Sequence, residues 1–363
     1  MKKQKKIKIF LGGYVNFPNA QNINCDNIAK HLDKERFEVH VMYSSKKTMD
    51  RDAYKKAGIH PHKLIHHRYI WFWNKLLTMW AANCDIYYLP KMESADVLFA
   101  KLFRRTKKVL IASVEGVVGK QVPADDPAVV QYLGLMDSYY SISNCIQESI
   151  MRLWGKKTEV LHLGVESADS LPERKTEIRN IVWTGSQIQR KRPQYLLEVA
   201  KRFPQLGFTM IGDGDMMPEI EKRIAEEGIG NVKLTGRIPN DQVYEHMRKA
   251  DLLLMTSEFE GLPKVIQEAA QCGLPSIYMA ENYTVDFLTD GVNGYGVYSI
   301  DEMCEKLEWL LSEPQTYRAM SAKAHEVIQE YTWERLIPKY EDYFLRILEK
   351  KRLSRRDGEH EHG

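Results

Sequence analysis

Two carboxylates and a helix start lie in the segment of this chain best suited to chemistry. Residues 256–275, TSEFEGLPKVIQEAAQCGLP, place Glu260 just before Pro263, a residue favoured in the first turn of a helix, and Glu268 eight residues beyond Glu260. The N–H groups and positive dipole end of a helix start can hold an anion such as a diphosphate. Carboxylates beside them can bind hydroxyl groups, so the segment could hold a nucleotide. The spacing equally allows a capping acid at Glu260 and a solvated side chain at Glu268.

A basic loop is the second candidate. Residues 187–193, QIQRKRP, follow an apolar run and place Arg190, Lys191 and Arg192 side by side. Three adjacent cations could neutralise a pyrophosphate leaving group, although a solvated charged loop would have the same sequence. Lys264 is a further candidate, because a cation in the first turn of a helix opposes the helix dipole when no ligand is bound.

These residues need a scaffold that brings the ends of several strands together. Apolar runs such as Ile7–Leu11 and Leu252–Met255 alternate with helical patterns along both halves of the chain. This alternation predicts parallel sheets with helices on both faces, whose ligands bind beyond the carboxyl ends of the strands. The loops that follow strands are therefore predicted to line the site: Gly12–Gly13, Gly185–Ser186, Gly212–Gly214 and Ser257–Gly261.

Length and charge indicate two domains. A chain of 363 residues exceeds what one core usually supports, and the polar, turn-rich residues 164–175 are predicted to be a linker. Residues 1–170 carry 26 Lys and Arg against 17 Asp and Glu, a net charge of +9, and the remaining 26 basic and 32 acidic residues give −6. A basic half and an acidic half suggest different partners for the two domains.

Other classes of protein are disfavoured by composition. No run of about 18 apolar residues occurs, and the basic N-terminus leads into a strand pattern rather than a signal peptide, so a cytoplasmic location is expected. The five cysteines form no closely spaced pair, which disfavours a zinc ribbon or a disulfide framework.

Taken together, these segments resemble the family 4 retaining glycosyltransferases of GT-B fold. Glu260 and Glu268, within EGLPKVIQEAAQCGLP, are similar to the Glu-x7-Glu signature of that family. Further similar segments are SISNCIQESIMRLWG (141–155), WTGSQIQRKRPQYLLEVA (183–200), IGDGDMMPEIE (211–221), VKLTGRIPNDQVYEHMRKADLLLMTS (232–257) and YTWERLIPKYEDYF (331–344). The resemblance covers most of residues 140–345 in the same order.

The resemblance implies an α/β fold of GT-B type, in which two Rossmann-like domains face each other across a central cleft. Residues 1–165 would be the acceptor-binding domain, and residues 166–330 the domain that binds a nucleotide-sugar donor. Residues 331–352 would form a C-terminal helix that crosses back to the N-terminal domain, and residues 353–363 a disordered tail.

Residue roles are carried over in the same way. Glu268 would hold the ribose hydroxyls, Glu260 would contact the sugar, and Lys191 would stabilise the leaving diphosphate, with Glu260 and Lys191 as the catalytic residues. Base recognition would fall to the loop at Arg237 and Ile238. The full donor site would comprise Gly12, Gly13, Gly185, Ser186, Arg190, Gly212, Arg237, Ile238, Gly261, Leu262, Pro263, Lys264, Val265 and Glu268.

Two positions depart from the pattern of the family. Ser186 stands where the family usually has an arginine, for which Arg190 or Arg192 could substitute. Glu115 stands where a histidine often contacts the sugar, and its carboxylate could accept hydrogen bonds from a donor-sugar or acceptor hydroxyl.

The implied activity is transfer of a hexose or N-acetylhexosamine, with retention of configuration, from a nucleotide-diphosphate sugar. UDP is the expected nucleotide, with GDP and ADP left open, and the acceptor would be a glycan or a lipid-linked sugar in cell-surface polysaccharide or glycolipid assembly. Front-face displacement in this family needs no metal or other cofactor. Alternatives are a catalytically silent subunit that binds nucleotide-sugar beside a partner transferase, and a GT-B epimerase or phosphorylase.

The first half also contains basic, aromatic stretches. HPHKLIHHRYIWFWNKLLTMW (60–80) and KLFRRTKK (101–108) are typical of a segment that contacts an anionic membrane surface, here the inner leaflet. A core helix at residues 70–77 with solvated charges on either side is the alternative. No nucleic-acid-binding motif accompanies these stretches, so no nucleic-acid partner is predicted.

Overall fold

The structure is a computed structural model that describes residues 5–17, 19–65, 67, 69–167 and 177–360, with side chains in the last helix described as far as residue 355. The chain divides into two compact units. Unit 1 comprises Met1–Leu163 and Trp333–Gly363, and unit 2 comprises Gly164–Thr332. Residues 168–175 of the predicted linker lie outside the described residues. Within the described residues, no helix is long and apolar enough to cross a bilayer.

Unit 1 is built on a seven-stranded parallel sheet. Its strands are β1 (Ile7–Tyr14), β2 (Phe37–Ser44), β3 (Ile59–Leu64), β4 (Ile86–Tyr88), β5 (Val109–Val114), β6 (Ser138–Ser141) and β7 (Glu159–Val160). The order across the sheet is β3-β2-β1-β4-β5-β6-β7, so the direction of winding reverses between β1 and β4. Loops that follow these two strands therefore diverge and leave room for a ligand.

Six helices of unit 1 connect these strands. They are α1 (Ala20–His31), α2 (Arg51–Lys56), α3 (Trp71–Ala82), α4 (Ser94–Phe103), α5 (Pro127–Leu133) and α6 (Asn144–Trp154). Helix α1 begins where the Asn19 side chain accepts a hydrogen bond from the Asn22 amide at 3.0 Å, and α5 begins with Pro127 after the capping side chain of Asp126.

Unit 2 repeats the plan with six parallel strands. The strands are β8 (Asn180–Thr184), β9 (Gly207–Ile211), β10 (Val232–Gly236), β11 (Leu252–Met255), β12 (Ser276–Met279) and β13 (Gly294–Val297). The helices are α7 (Gln194–Arg202), α8 (Met217–Glu226), α9 (Asn240–Lys249), α10 (Lys264–Gln271), α11 (Ile300–Ser312) and α12 (Pro314–Ile328). The order β10-β9-β8-β11-β12-β13 reverses between β8 and β11. Strand β11 is wholly apolar and buried, as expected for a strand covered on both faces.

The last helix, α13 (Trp333–His360), belongs to unit 1. The Tyr340 hydroxyl donates to the carbonyls of Leu161 and His162 at 3.0 Å, and the rings of Tyr340 and Tyr343 pack edge-on against Tyr140 of β6. The helix extends beyond residue 352, through most of the stretch predicted to be a disordered tail. Polar contacts hold this end, because Lys351 pairs with Asp137 at 2.6 Å and Arg355 donates to the Arg105 carbonyl at 3.0 Å.

Candidate active site

The reversal point of unit 2 brings together the two loops that the sequence singled out. The loop after β8 contains Arg190 and Lys191, and the loop after β11 contains Glu260. Thr256 fastens the loops to each other: its hydroxyl donates to the Lys191 carbonyl at 2.7 Å and accepts from the Trp183 indole at 2.9 Å. The contact with Trp183 is buried and the contact with Lys191 is partly buried, so the basic loop is tied to the core of the unit through Thr256.

The ion cluster at this point joins two cations to one carboxylate. Lys191 Nζ lies 2.5 Å from Glu260 Oε1, and Arg190 Nη1 lies 2.8 Å from the same oxygen. Arg190 also donates to the Phe259 carbonyl at 2.8 Å, and its guanidinium lies 5.4 Å from the Phe259 ring centroid. Glu260 is 7% exposed. The cluster carries a net positive charge, which suits a site for an anion.

Arg190 and Arg192 are the two residues that could substitute for the arginine absent at position 186, and their contacts differ. Ser186 is exposed, and Arg190 is the residue beside Glu260. Arg192 instead pairs with Glu281, lies 3.9 Å from Glu258 and covers the ring of Tyr195. Arg192 therefore lies outside the cluster.

Glu268 lies in the second turn of α10, partly exposed at the surface of the helix. Burial of its carboxylate raises its pKa, and the nearby Lys264 ammonium lowers it by a smaller amount. No hydrogen-bond partner for this carboxylate is found among the described residues. A partly buried carboxylate that lacks a hydrogen bond from the protein can accept one from a ligand or from solvent. The geometry therefore leaves the Glu268 carboxylate able to accept hydrogen bonds from hydroxyl groups of a ligand.

The glycine loops of unit 2 pack against each other. A Cβ on Gly212 would lie 2.0 Å from the Gly185 carbonyl, and one on Gly214 would lie 2.4 Å from the Gln187 carbonyl. Gln187 is fully buried. Its backbone N–H donates to the Asp213 carbonyl at 2.8 Å, and its side-chain Nε2 donates to the Gly212 carbonyl at 2.9 Å. Glycine at position 212 is thus explained by contact between loops.

The remaining residues of unit 2 that the resemblance assigned to a donor site lie along the same edge of the sheet. Arg237 and Ile238 follow β10, and the Gly236 carbonyl accepts from the Gly212 amide at 3.0 Å, which ties this loop to the one after β9. Arg237 is exposed. Gly261, Leu262 and Pro263 precede α10, and Lys264 and Val265 form its first turn. The structure thus brings the predicted residues 185–265 to one edge.

Gly12 and Gly13 lie elsewhere, inside strand β1 of unit 1. A Cβ on Gly12 would lie 2.8 Å from the Tyr88 carbonyl, and one on Gly13 would lie 2.7 Å from Cys25 Sγ. Both residues are buried. The prediction that they form a loop is wrong, because the strand continues to Tyr14; their lack of a side chain is accounted for by packing within the unit.

Glu115 directly follows β5 in unit 1 and is held by hydrogen bonds. It accepts from Asn24 Nδ2 at 3.0 Å and from Ser113 Oγ at 2.9 Å, and the Ser113 hydroxyl also contacts the Tyr88 hydroxyl at 2.8 Å. These neighbours fix the direction of the carboxylate at the carboxyl edge of the sheet.

A buried ion network at the reversal point of unit 1 was missed by the sequence analysis. Lys75 of α3 is fully buried and lies 2.6 Å from both Glu93 and Asp96, and Glu93 also accepts from the Tyr14 hydroxyl at 2.6 Å. Burial raises the pKa of Asp96, and Lys75 counteracts that effect. One signal was available: Lys75 interrupts an otherwise apolar helical face.

Comparison with known proteins identifies the domain in unit 2. Residues 170–327 match the family "Glycosyl transferases group 1". An uncharacterized glycosyltransferase of Methanocaldococcus jannaschii is 24% identical over 158 residues, 43% of this chain and 45% of that protein. An O-antigen biosynthesis glycosyltransferase of Escherichia coli is 24% identical over 209 residues, 56% of this chain and 60% of that protein. The chain thus spans about half the length of these curated relatives.

Similarity to solved structures extends over both units. The Anabaena protein HepE, solved in complex with UDP, superposes with a TM-score of 0.74 at 16% identity, covering 93% of this chain and 99% of that one. The predicted fold class, α/β with two Rossmann-like parallel sheets of GT-B type, is confirmed. Residues 170–327 therefore match a glycosyltransferase group 1 domain, within a chain of GT-B fold.

Proposed function

We propose that this protein is a retaining glycosyltransferase of family 4. It would transfer a hexose or N-acetylhexosamine from a nucleotide-diphosphate sugar, with UDP as the nucleotide, to a glycan or lipid-linked acceptor in cell-surface polysaccharide or glycolipid assembly. The observation that carries the proposal is the Glu268 carboxylate, which is partly buried and has no hydrogen-bond partner among the described residues, on helix α10, which begins four residues after Glu260 of the ion cluster. A ribose supplies the hydroxyl groups that such a carboxylate can accept.

The two relatives favour particular partners. HepE was solved with UDP, which supports UDP as the nucleotide, and the E. coli relative is named for O-antigen biosynthesis, which supports a glycan acceptor. Such assembly on lipid carriers would place the protein in the cytoplasm at the inner face of the cell membrane. In this proposal the base lies near Arg237 and Ile238.

Chemically, the acceptor oxygen would attack the anomeric carbon on the face from which the diphosphate leaves. The bond from that carbon to the phosphate oxygen breaks, its electron pair stays on the phosphate, and the acceptor proton moves to that oxygen. Lys191 and Arg190 would turn from Glu260 towards the leaving diphosphate and stabilise its charge. Glu260 would then be released to contact sugar hydroxyls, and Glu115 would accept from an acceptor or sugar hydroxyl.

Calorimetric titration of UDP, GDP and ADP tests the donor site. We expect UDP to bind wild type and to bind Glu268→Gln at least tenfold more weakly, a loss of about 1.4 kcal/mol. Glu245→Gln is the matched control, because Glu245 is an exposed carboxylate on the neighbouring helix α9. Equal UDP affinity of the three proteins would overturn the assignment of Glu268, and preferential binding of GDP or ADP would overturn the choice of nucleotide.

Transfer itself needs a separate readout. We expect the wild type to release UDP from UDP-sugars when a membrane extract supplies the acceptor. We also expect an α-linked donor to give an α-linked product. EDTA should leave the rate unchanged, since no metal takes part in the proposed step. Tight UDP binding without any release would instead favour the silent-subunit alternative, and an epimerised or phosphorylated sugar product would favour the other GT-B activities.

A further inference from the structure

Helix α3 exposes a large apolar face that the core of unit 1 does not use. Trp73, Leu77 and Trp80 are 59%, 56% and 61% exposed, and their spacing of four and three residues places them on one side of the helix. Tyr69 and Ile70, immediately before the helix, are 73% and 45% exposed. Contiguous exposure of this size in a folded unit marks a surface that contacts a partner.

Helix α4 extends this surface with cations. Both helices cover the same side of the sheet, because the Tyr87 hydroxyl of β4 donates to the Met79 carbonyl of α3 at 2.8 Å while the Tyr87 ring packs 4.5 Å from that of Phe99 in α4. The two helices also pack against each other. Leu102, at 58% exposure, points away from the sheet beside the exposed Lys101 and Arg105. We call the outward side chains of these segments the α3–α4 face: Tyr69, Ile70, Trp73, Leu77, Trp80, Lys101, Leu102, Arg104 and Arg105.

The charge of this face has one sign. No Asp or Glu occurs from residue 53 to residue 84 or from residue 97 to residue 114. Three acidic residues lie between these stretches: Glu93 and Asp96 contact Lys75, and Asp85 lies 3.8 Å from Arg352. Asp137, near the Arg104 carbonyl, is paired with Lys351. Within the described residues, the side chains of Lys101, Arg104 and Arg105 have no anionic partner, and together they line a surface depression with Gln131, Gly134 and Leu135.

We propose that the α3–α4 face docks unit 1 onto an anionic lipid bilayer. Tryptophan and tyrosine side chains bury their rings at the level of the headgroups, and arginine and lysine attract anionic lipid phosphates. The depression lined by Lys101, Arg104 and Arg105 would receive a headgroup phosphate. The docking surface is argued without reference to the proposed transferase activity. Only the idea that the acceptor is presented on the same bilayer rests on that activity.

Vesicle co-sedimentation of the full chain tests the docking. We expect binding to vesicles of phosphatidylcholine with about a quarter phosphatidylglycerol, and little binding to phosphatidylcholine alone. The variant K101Q/R104Q/R105Q should bind at least tenfold more weakly, and Trp73→Ser with Trp80→Ser should weaken binding comparably. The control K233Q/K249Q/R318Q removes the same charge from exposed positions of unit 2 and should bind as wild type does.

Thermal melting would verify that every variant folds, and the altered side chains are exposed, so little change is expected. Equal sedimentation of wild type and K101Q/R104Q/R105Q would overturn the proposal, as would wild-type binding to both vesicle types alike or to neither. Loss of vesicle binding by the unit 2 control would show that net charge alone determines binding, and would also overturn the proposal. Glu268→Gln should bind vesicles normally, which separates failure of docking from failure of the donor site.

Discussion

The two units share one plan of parallel strands but treat buried charge in opposite ways. At the reversal point of unit 1, Lys75 contacts both Glu93 and Asp96, and every charge has a partner of opposite sign. At the reversal point of unit 2, two cations share Glu260, and Glu268 has no hydrogen-bond partner among the described residues. A satisfied network stabilises the fold, whereas an incomplete one retains capacity for a ligand. Titratable groups in the same topological position would therefore serve structure in unit 1 and, in the proposed function, binding in unit 2.

Removal of Lys75 should give the largest effect, on stability. Lys75→Met leaves the buried Asp96 without its cation, which should cost about 3–5 kcal/mol of the stability of unit 1. Hydrogen exchange measured peptide by peptide in urea would locate the loss, with unit 2 as the internal control. Adding Asp96→Asn to Lys75→Met should recover part of the lost stability. Loss of hydrogen-exchange protection in unit 2 alone would contradict the structural role given to the network of unit 1.

Removal of Lys191 should act on catalysis with little effect on stability. Lys191→Met leaves Glu260 paired with Arg190 but deprives the leaving diphosphate of a cation, so kcat should fall by about 10²–10³. Sugar transfer at saturating donor is the measurement. Arg192→Met is the matched control, since Arg192 pairs with Glu281 outside the cluster; an equal fall in both variants would remove the distinction between the two cations.

A smaller effect on stability is expected from pH through a histidine of unit 1. His62 of β3 is partly buried and shares a hydrogen bond with His40, and its surroundings include His60, Glu38 and Lys8. Burial, together with smaller contributions from the neighbouring His40 and His60, lowers the pKa of His62 from 6.5 to about 4. The unfolded chain therefore binds the proton more readily, so stability is lost as pH falls from about 6.5 to 4.

Allowing for its partial exposure, we expect the loss attributable to His62 to be about 1 kcal/mol between pH 7 and pH 5. Urea unfolding at the two pH values measures it. His62→Gln should flatten the dependence, because the amide cannot titrate in this range. An unchanged slope in the variant would assign the dependence to other groups.

Sequence patterns predicted continuous apolar strands better than short strands or strands with polar residues. The predicted strand Leu252–Met255 has the observed bounds, because buried parallel strands are nearly continuous apolar runs between polar turns. Strand β3, IHPHKL, was not predicted, since Pro61 and its polar neighbours are tolerated only at a sheet edge. The short strands β12 and β13 were missed as well.

At the site, residue type and motif spacing were readable, but the contacts between them were not. Lys191 and Glu260 are 69 residues apart, and only the strand order places their loops together. The same limit applies to Lys75, whose partners lie on another helix start. No pattern in the sequence indicates that Arg190 contacts Glu260 while Arg192 pairs with Glu281, or that the backbone at Arg192 is left-handed, with φ of 46°.

The return of α13 to unit 1 has a consequence for synthesis on the ribosome. Trp333, Tyr340 and Phe344 are almost fully buried, so the core of unit 1 is incomplete until these residues emerge. Unit 2 is an insertion whose first and last segments run side by side, with the Val165 amide donating to the Tyr331 carbonyl at 3.0 Å. Because the chain is synthesised from its N-terminus, unit 2 can therefore finish folding before unit 1, whose core is complete only when α13 has emerged.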